Sequence, residues 1–181
     1  MYSIICALIL DNCLYIEYNC YLYKEYYAEM RMIITFCGHA DFVQTNQLEE
    51  KVLLLLTNII GDCSAELYLG HYGAFDRFAL HCGKIYKGSH PNTSLLSITP
   101  YFSNSYHTQS TPIDFNDYDG FLYPSIEHIP YKLSILYCNQ WMVEQADMVI
   151  AYINHDWGGA YQSYRYAVKM GKSILNLGTL T

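Results

Sequence analysis

Two hydrophobic periodicities alternate along the chain from residue 32 onward. Met32-Ile33-Ile34-Thr35-Phe36-Cys37 is a continuous apolar, β-prone run closed by Gly38; such a run predicts a parallel strand covered on both faces. The period then changes. Between Asn46 and Ile60, Leu48, Val52, Leu55, Leu56 and Ile59 fall on one face and Gly61 follows as a stop, which predicts an amphipathic helix. Ala65–Leu69 predicts a short strand running into Gly70, and Ala74–Lys87 a second helix with Phe75, Phe78, Ala79, Cys82 and Ile85 on its inner side. Leu95–Thr99 predicts a third strand, closed by Pro100. Helical character returns over Ser134–Gln145, with Ile135, Leu136, Trp141 and Met142 as apolar anchors. A fourth strand, Met148–Tyr152, a helix, Ala160–Met170, and a fifth strand, Ser173–Leu177, complete the pattern.

Strand and helix in strict alternation, joined by right-handed crossovers, give an α/β fold: a Rossmann-like open parallel sheet of about five strands with helices on both faces. In the common strand order 3-2-1-4-5, strands one and four are neighbours at the topological switch point, where ligands of such sheets bind beyond the strand C-termini. That order brings Gly38-His39 beside Trp157-Gly158-Gly159, with the Gly70–Asp76 turn of strand two next to them. The stretch from Tyr101 to Pro130 is rich in Ser, Asn, Asp, Tyr and Pro and has no sustained period. A loop of that length inside a compact domain is generally functional or mobile.

Residues 1–29 read differently. Their apolar run, Ile4 to Leu10, lacks the basic flank and small-residue cleavage site of a secretory signal and is too short to span a membrane. Because the first β-like run begins only at Met32, residues 1–29 are expected to be an N-terminal extension. An accessory helix with Tyr15, Tyr18, Leu22 and Tyr26 on one face is the alternative. Residues 30–181 are expected to form the Rossmann-like domain.

Composition narrows the function classes. With 181 residues, 52% of them hydrophobic, the chain can build one α/β core but not two. Its net charge of −7 supplies no basic field for a nucleic-acid backbone, so DNA and RNA are disfavoured as partners and no membrane is implied. Seven cysteines without a C-x-x-C pair argue against both a disulfide framework and a structural zinc, and fit a reduced cytoplasm. The heptad recurrence of Cys6, Cys13 and Cys20 has no other coiled-coil support. Neither a cofactor nor a metal is called for, and the sequence leaves homo-oligomerisation open.

The candidate chemistry lies in the turns. Trp157-Gly158-Gly159 stands between a strand and a helix, where glycines admit a ligand close to the backbone and the helix start offers N–H groups and a positive dipole end. A small nucleotide-like ligand suits that turn, its phosphates held by amides rather than cations. Gly38, His39, Gly70, His71, Gly73 and Phe75 are expected to share the crevice. Asp76 reads equally as a helix-capping acid and as an acceptor for a ribose hydroxyl or a substrate amine. His39 reads as a partner for base, ribose or phosphate or as a satisfied structural histidine. Tyr101, just past the third strand, and Trp157 offer rings to a ligand; Trp141 and Met142 read as core. His39, Asp41, His71, His155 and Asp156 would be a hard metal site only if the fold gathered them, and their spacings match no recognised ligand pattern. For an enzyme, the catalytic candidates are Glu127, Asp76 and His39, though solvation alone explains Glu127.

Several segments together resemble a known family. Thr35-Phe36-Cys37-Gly38-His39, Tyr68 to Asp76, Thr99-Pro100-Tyr101, Asn139-Gln140-Trp141-Met142, and Gly158-Gly159 through Gly171-Lys172-Ser173-Ile174-Leu175-Asn176-Leu177 look like the SLOG superfamily. Within it, the likeness is to the small bacterial YpsA-like (DUF1273-type) members and covers residues 32 to 178. The resemblance implies a Rossmann-like domain that binds a nucleotide or nucleotide-derived ligand, ADP-ribose-like or NAD-derived, as a sensor or binding protein. The wider superfamily also holds phosphoribohydrolases that release cytokinin bases, and the DNA-processing protein DprA. These imply two alternatives, an N-glycosidic hydrolase and a DNA-associated or partner-binding module. The phosphoribohydrolase pattern P-G-G-x-G-T-x-x-E is not kept: Trp157, Tyr161, Gln162 and Arg165 stand where Pro, Gly, Thr and Glu would be. Losing the carboxylate removes the group that would activate water or stabilise an oxocarbenium ion. His71 also replaces a glycine of the YpsA-like pattern, and Cys138 an arginine.

Overall fold

The computed structural model describes residues 31–61, 63–100 and 115–179. The expectations for residues 1–29 and for Tyr101 lie outside the described residues. Along the chain run β1 (Arg31–Gly38), α1 (Asn46–Ile60), β2 (Ser64–Leu69), α2 (Ala74–Ser89), β3 (Thr93–Ile98), β4 (Gly120–Leu122), α3 (Ser134–Gln145), β5 (Met148–Tyr152), α4 (Gly158–Lys169) and β6 (Ser173–Asn176). The strands form one sheet in the order β4-β3-β2-β1-β5-β6, every neighbouring pair parallel. Strand order reverses between β1 and β5, whose register pairs Thr35 with Val149 and Phe36 with Ile150. This is the α/β Rossmann-like architecture expected, with its switch point between the strands that lead to Gly38-His39 and to Trp157.

Alternation across β1 builds the two faces. Ile34 and Phe36 join Val52, Leu56 and Ile60 of α1 and Phe75, Phe78, Ala79 and Cys82 of α2 in one core. Cys37 points the other way and joins Val143 of α3, Ala167 of α4, and Val149 and Ala151 of β5. A third cluster, with Tyr68, Ile98, Cys138 and Met142, packs α3 over β2 and β3. Ile34, Leu56 and Leu67 are fully buried, each such side chain contributing about 1.5–3 kcal/mol relative to exposure. The Thr45 hydroxyl accepts the Leu48 N–H at 3.3 Å and starts α1.

The differences from expectation are local. β4 emerges from the stretch read as a structureless loop, making six strands rather than five. Three residues are too short to show a period, and β4 exists through its neighbour: Thr99 N–H donates to the Leu122 carbonyl at 3.0 Å and Asp119 N–H to the Leu95 carbonyl at 2.8 Å. The Asp119 carboxylate in turn accepts the Leu95 N–H at 2.7 Å. β3 starts at Thr93 and α2 continues to Ser89. Helix α4 begins at Gly158 rather than Ala160, so the glycine pair opens the helix instead of preceding it. Among the described residues no helix is long and apolar enough to cross a membrane.

Candidate functional site

A cavity of about 370 Å³ opens at the switch point, within the usual range for small-ligand sites. β1 and the segment after it supply Gly38, His39, Ala40 and Asp41; the turn before α2 supplies Tyr72, Gly73 and Asp76. Helix α3 adds Ile135, Asn139, Met142 and Val143, and the turn into α4 adds His155, Trp157, Gly158 and Gly159. The described lining includes two carboxylates and no lysine or arginine.

The two glycine turns differ in their bonding. Before α2, the Asp76 carboxylate accepts the N–H groups of Tyr72 at 2.8 Å and Gly73 at 2.9 Å, so this helix start is occupied by its own acid. Burial pushes the Asp76 carboxyl up from its ordinary value, against the pull of those two donors. Gly70 belongs to this arrangement, because a Cβ there would lie 3.1 Å from the Asp76 carboxylate. Helix α4 is built otherwise. Its N-cap Trp157 makes no side-chain capping bond and its first turn has no acid, so this helix supplies no side chain of its own to its leading N–H groups and positive dipole end. Gly158 has φ +88°, a conformation that favours glycine; Gly159 does not share it, and a Cβ on either would meet nothing within 4 Å. Neither packing nor backbone geometry demands a glycine at 159.

Aromatic rings wall the crevice beside this helix start. His39 and His155 stack with centroids 3.4 Å apart and planes at 24°, and Trp157 stacks on His155 at 3.9 Å and 17°. Trp157 is 66% exposed, so the face turned from His155 is open to solvent. His39 is buried, and its Nε2 has no hydrogen-bond partner among the described residues; both ring nitrogens of His155 are likewise unpartnered. Burial, followed by the neighbouring His155, holds the His39 imidazole below its ordinary value, opposed by a hydrogen bond with the His155 backbone and by Asp41. The strand exit beneath these rings is pinned by Asn176. Its side-chain oxygen accepts the Ile153 N–H at 2.8 Å and the Gly178 N–H at 3.1 Å, while its amide donates to the Ile153 carbonyl at 3.0 Å.

Of the candidate residues from the sequence, Gly38, His39, Gly73, Asp76, Trp157, Gly158 and Gly159 line one cavity. Gly70, His71 and Phe75 do not. Phe75 is fully buried in the core, and a Cβ on Gly38 would come within 2.3 Å of its ring, so Gly38 makes room for that phenylalanine. Burial pushes the His71 imidazole down to about 4, its Nδ1 buried without a partner. Glu127 is exposed on the segment after β4, away from the lining. Cys138 is buried in the third cluster, where burial pushes its thiol up to about 12. Trp141 lies parallel to the Tyr68 ring at 5.8 Å, as a packing residue does. Asn139, within the segment Asn139–Met142, reaches the cavity, as do Tyr72, Asp41 and His155, and no sequence spacing signals that they meet.

No family model matches the chain, and no curated protein does. Solved structures do match. DNA processing protein A from Helicobacter pylori, described for its single-stranded DNA binding mode, aligns with a TM-score of 0.51 and 18% identity, over 80% of this chain and 64% of that one. The X-ray structure of TM1055 aligns at 0.47 and 11%, over 79% and 72%, and the Chlamydomonas rheinhardtii Moco carrier protein at 0.47 and 13%, over 83% and 77%. The likeness to DNA processing protein A is one of fold. That fold is the Rossmann-like open parallel sheet expected from the sequence.

Proposed function

We propose that the crevice between β1 and α4 binds a nucleotide or nucleotide-derived ligand, ADP-ribose-like or NAD-derived, and that binding is its principal activity. One observation carries the reading: of the helix starts that border this cavity, α2 has Asp76 on its own amides and α3 is led in by the hydrogen-bonded turn Tyr131–Leu133, whereas α4 has neither such a lead-in nor a side-chain cap nor a first-turn acid. Amides and a positive dipole end that receive no side chain from their own helix suit a phosphate. In this reading Gly158 and Gly159 let the phosphate approach, His39 and Asn139 face the sugar or base, and Trp157 offers its open face to a planar ring. Asp76 braces the neighbouring turn.

Holding is favoured over cutting because the cavity-lining acids are poorly suited to cleavage. Asp76 accepts two backbone N–H groups, Asp41 is exposed at the mouth, and Glu127 lies elsewhere. Incubation with NAD, ADP-ribose and nucleoside monophosphates should raise the melting temperature for at least one of them. Chromatography of the same mixtures should show no released base. Release of a base that Glu127→Gln or His39→Gln abolishes would establish the hydrolase instead; no thermal shift with any of these ligands would remove the binding reading.

The likeness to DNA processing protein A supports a DNA-associated reading as the second choice. The net charge of −7 and a described lining without lysine or arginine count against it. A gel shift with single-stranded DNA at physiological salt should show no retention.

A further inference from the structure

Three residues that are distant in sequence meet at the mouth of the crevice. His39 follows β1, Asp41 lies two residues on, and His155 follows β5; one ligand atom from each lies within 4.8 Å of the others. His39 is only 4% exposed, yet its Nε2 has no partner, and both nitrogens of His155 are buried without one. Leaving such polar atoms unsatisfied is costly, and a buried cluster of them calls for a missing partner. The Asp41 carboxylate stands 4.0 Å from His155 Nε2, a distance too long for a hydrogen bond.

We propose that His39, Asp41 and His155 bind a divalent transition-metal ion of the zinc type. Two imidazoles and one carboxylate suit zinc, cobalt or nickel, whereas magnesium and calcium select oxygen donors. Three protein ligands leave at least one coordination position open. Metal ligation needs ring nitrogens with an available lone pair, and His39 Nε2 and both His155 nitrogens are buried with no partner among the described residues. With zinc–ligand bonds of about 2.1 Å, ligand atoms come to rest about 3.4 Å apart in tetrahedral geometry. Asp41, with a 69% exposed side chain, closes that gap by rotating inward. The His39–His155 stack has to open widely, because each imidazole lone pair lies in its ring plane and two rings 24° from parallel at 3.4 Å cannot both point at one ion.

Two consequences follow. Trp157 rests on His155 at 3.9 Å, so ion binding alters its fluorescence. The open coordination position faces a cavity whose described lining has no cationic side chain, so the ion would supply countercharge to a phosphate. This second consequence rests on the ligand reading; ion binding itself does not.

Titration of the full chain with zinc chloride alone, without nucleotide, tests the proposal. The expected result is one saturable equivalent with a change in tryptophan fluorescence that Trp157→Phe removes. His155→Gln should abolish saturable binding. Asp41→Asn should weaken it by more than the roughly 10–100-fold that loss of an outer-shell partner costs. Asp41 is exposed, so this variant decides the matter even if His155→Gln does not fold. A cobalt-substituted sample should show nitrogen and oxygen ligation without thiolate charge-transfer bands. Absence of saturable binding, undiminished binding in Asp41→Asn, or thiolate bands placing the ion on cysteines would each overturn the proposal. Because no nucleotide is present, these outcomes stand apart from those of the ligand reading.

Discussion

Substituting Gly159→Asp should move stability and ligand binding in opposite directions. Residue 159 lies in the first turn of α4, its φ is not in the left-handed region, and an added Cβ meets nothing within 4 Å. The first turn has no acid of its own. An aspartate there complements the helix dipole by about 0.3–1 kcal/mol and replaces a residue of poor helix propensity. For a domain of this size, that gain raises the melting temperature by roughly 1–4 °C. The same carboxylate would stand in the place assigned to a phosphate. Two like charges about 5 Å apart at an effective dielectric of about 20 repel by about 3 kcal/mol, or roughly a hundredfold in affinity. Calorimetric titration with ADP-ribose, beside melting curves of the unliganded proteins, reads both effects. Gly159→Asn is the control, adding similar bulk without the charge, and should lose much less affinity. Wild-type affinity in Gly159→Asp, or a lower melting temperature, would refute the reasoning that this helix start is an anion cradle.

Further predictions concern the elements that hold the crevice. Gly38→Ala forces a Cβ to within 2.3 Å of the buried Phe75 ring; urea unfolding should show a loss of about 1–3 kcal/mol, partly recovered by adding Phe75→Leu. Asn176→Ala leaves both backbone groups of Ile153 and the Gly178 N–H without their side-chain partner. It should cost at least about 1–3 kcal/mol and shift Trp157 fluorescence as the β5 exit loosens. His71 binds its proton far less readily when folded, at about 4 against an ordinary 6.5. The unfolded chain therefore takes up the proton first, and stability falls as pH drops from about 6.5 to about 4, by about 3 kcal/mol in all. Asp76, whose carboxyl is raised, contributes with the opposite sign at the acid end of that window. Urea midpoints measured across pH should show this limb flattened in His71→Asn.

The fold was largely legible because each long element carries a strong period. The run Met32–Cys37 and the i, i+4 spacing of Val52 and Leu56 predict β1 and α1, and alternation together with the common 3-2-1-4-5 order of such sheets predicts the neighbours at the switch point. β4 was hidden, because three residues paired only to β3 leave no local signal and depend on Asp119 and Leu122 meeting Leu95 and Thr99. The crevice was legible as the meeting of two glycine turns. Their difference was not, since it rests on which turn supplies its own acid to its own amides, and that is a matter of side-chain direction. Gly38 and Gly70 illustrate the limit: both stand at turns, yet one accommodates Phe75 and the other Asp76. His39, Asp41 and His155 had no readable pattern because the crossover from β1 to β5 separates them in sequence. The sheet reunites them.

Retention of a nucleotide-class ligand in the crevice is the most direct test of its role. Native mass spectrometry of the purified chain, alone and with added ADP-ribose, NAD and nucleoside monophosphates, measures this without assuming any reaction. The account predicts a bound adduct of nucleotide-class mass on the wild-type chain that is lost from Gly159→Asp and kept by Glu127→Gln. A wild-type chain that carries no such adduct with any of these compounds, or a Gly159→Asp chain that retains it undiminished, would contradict it.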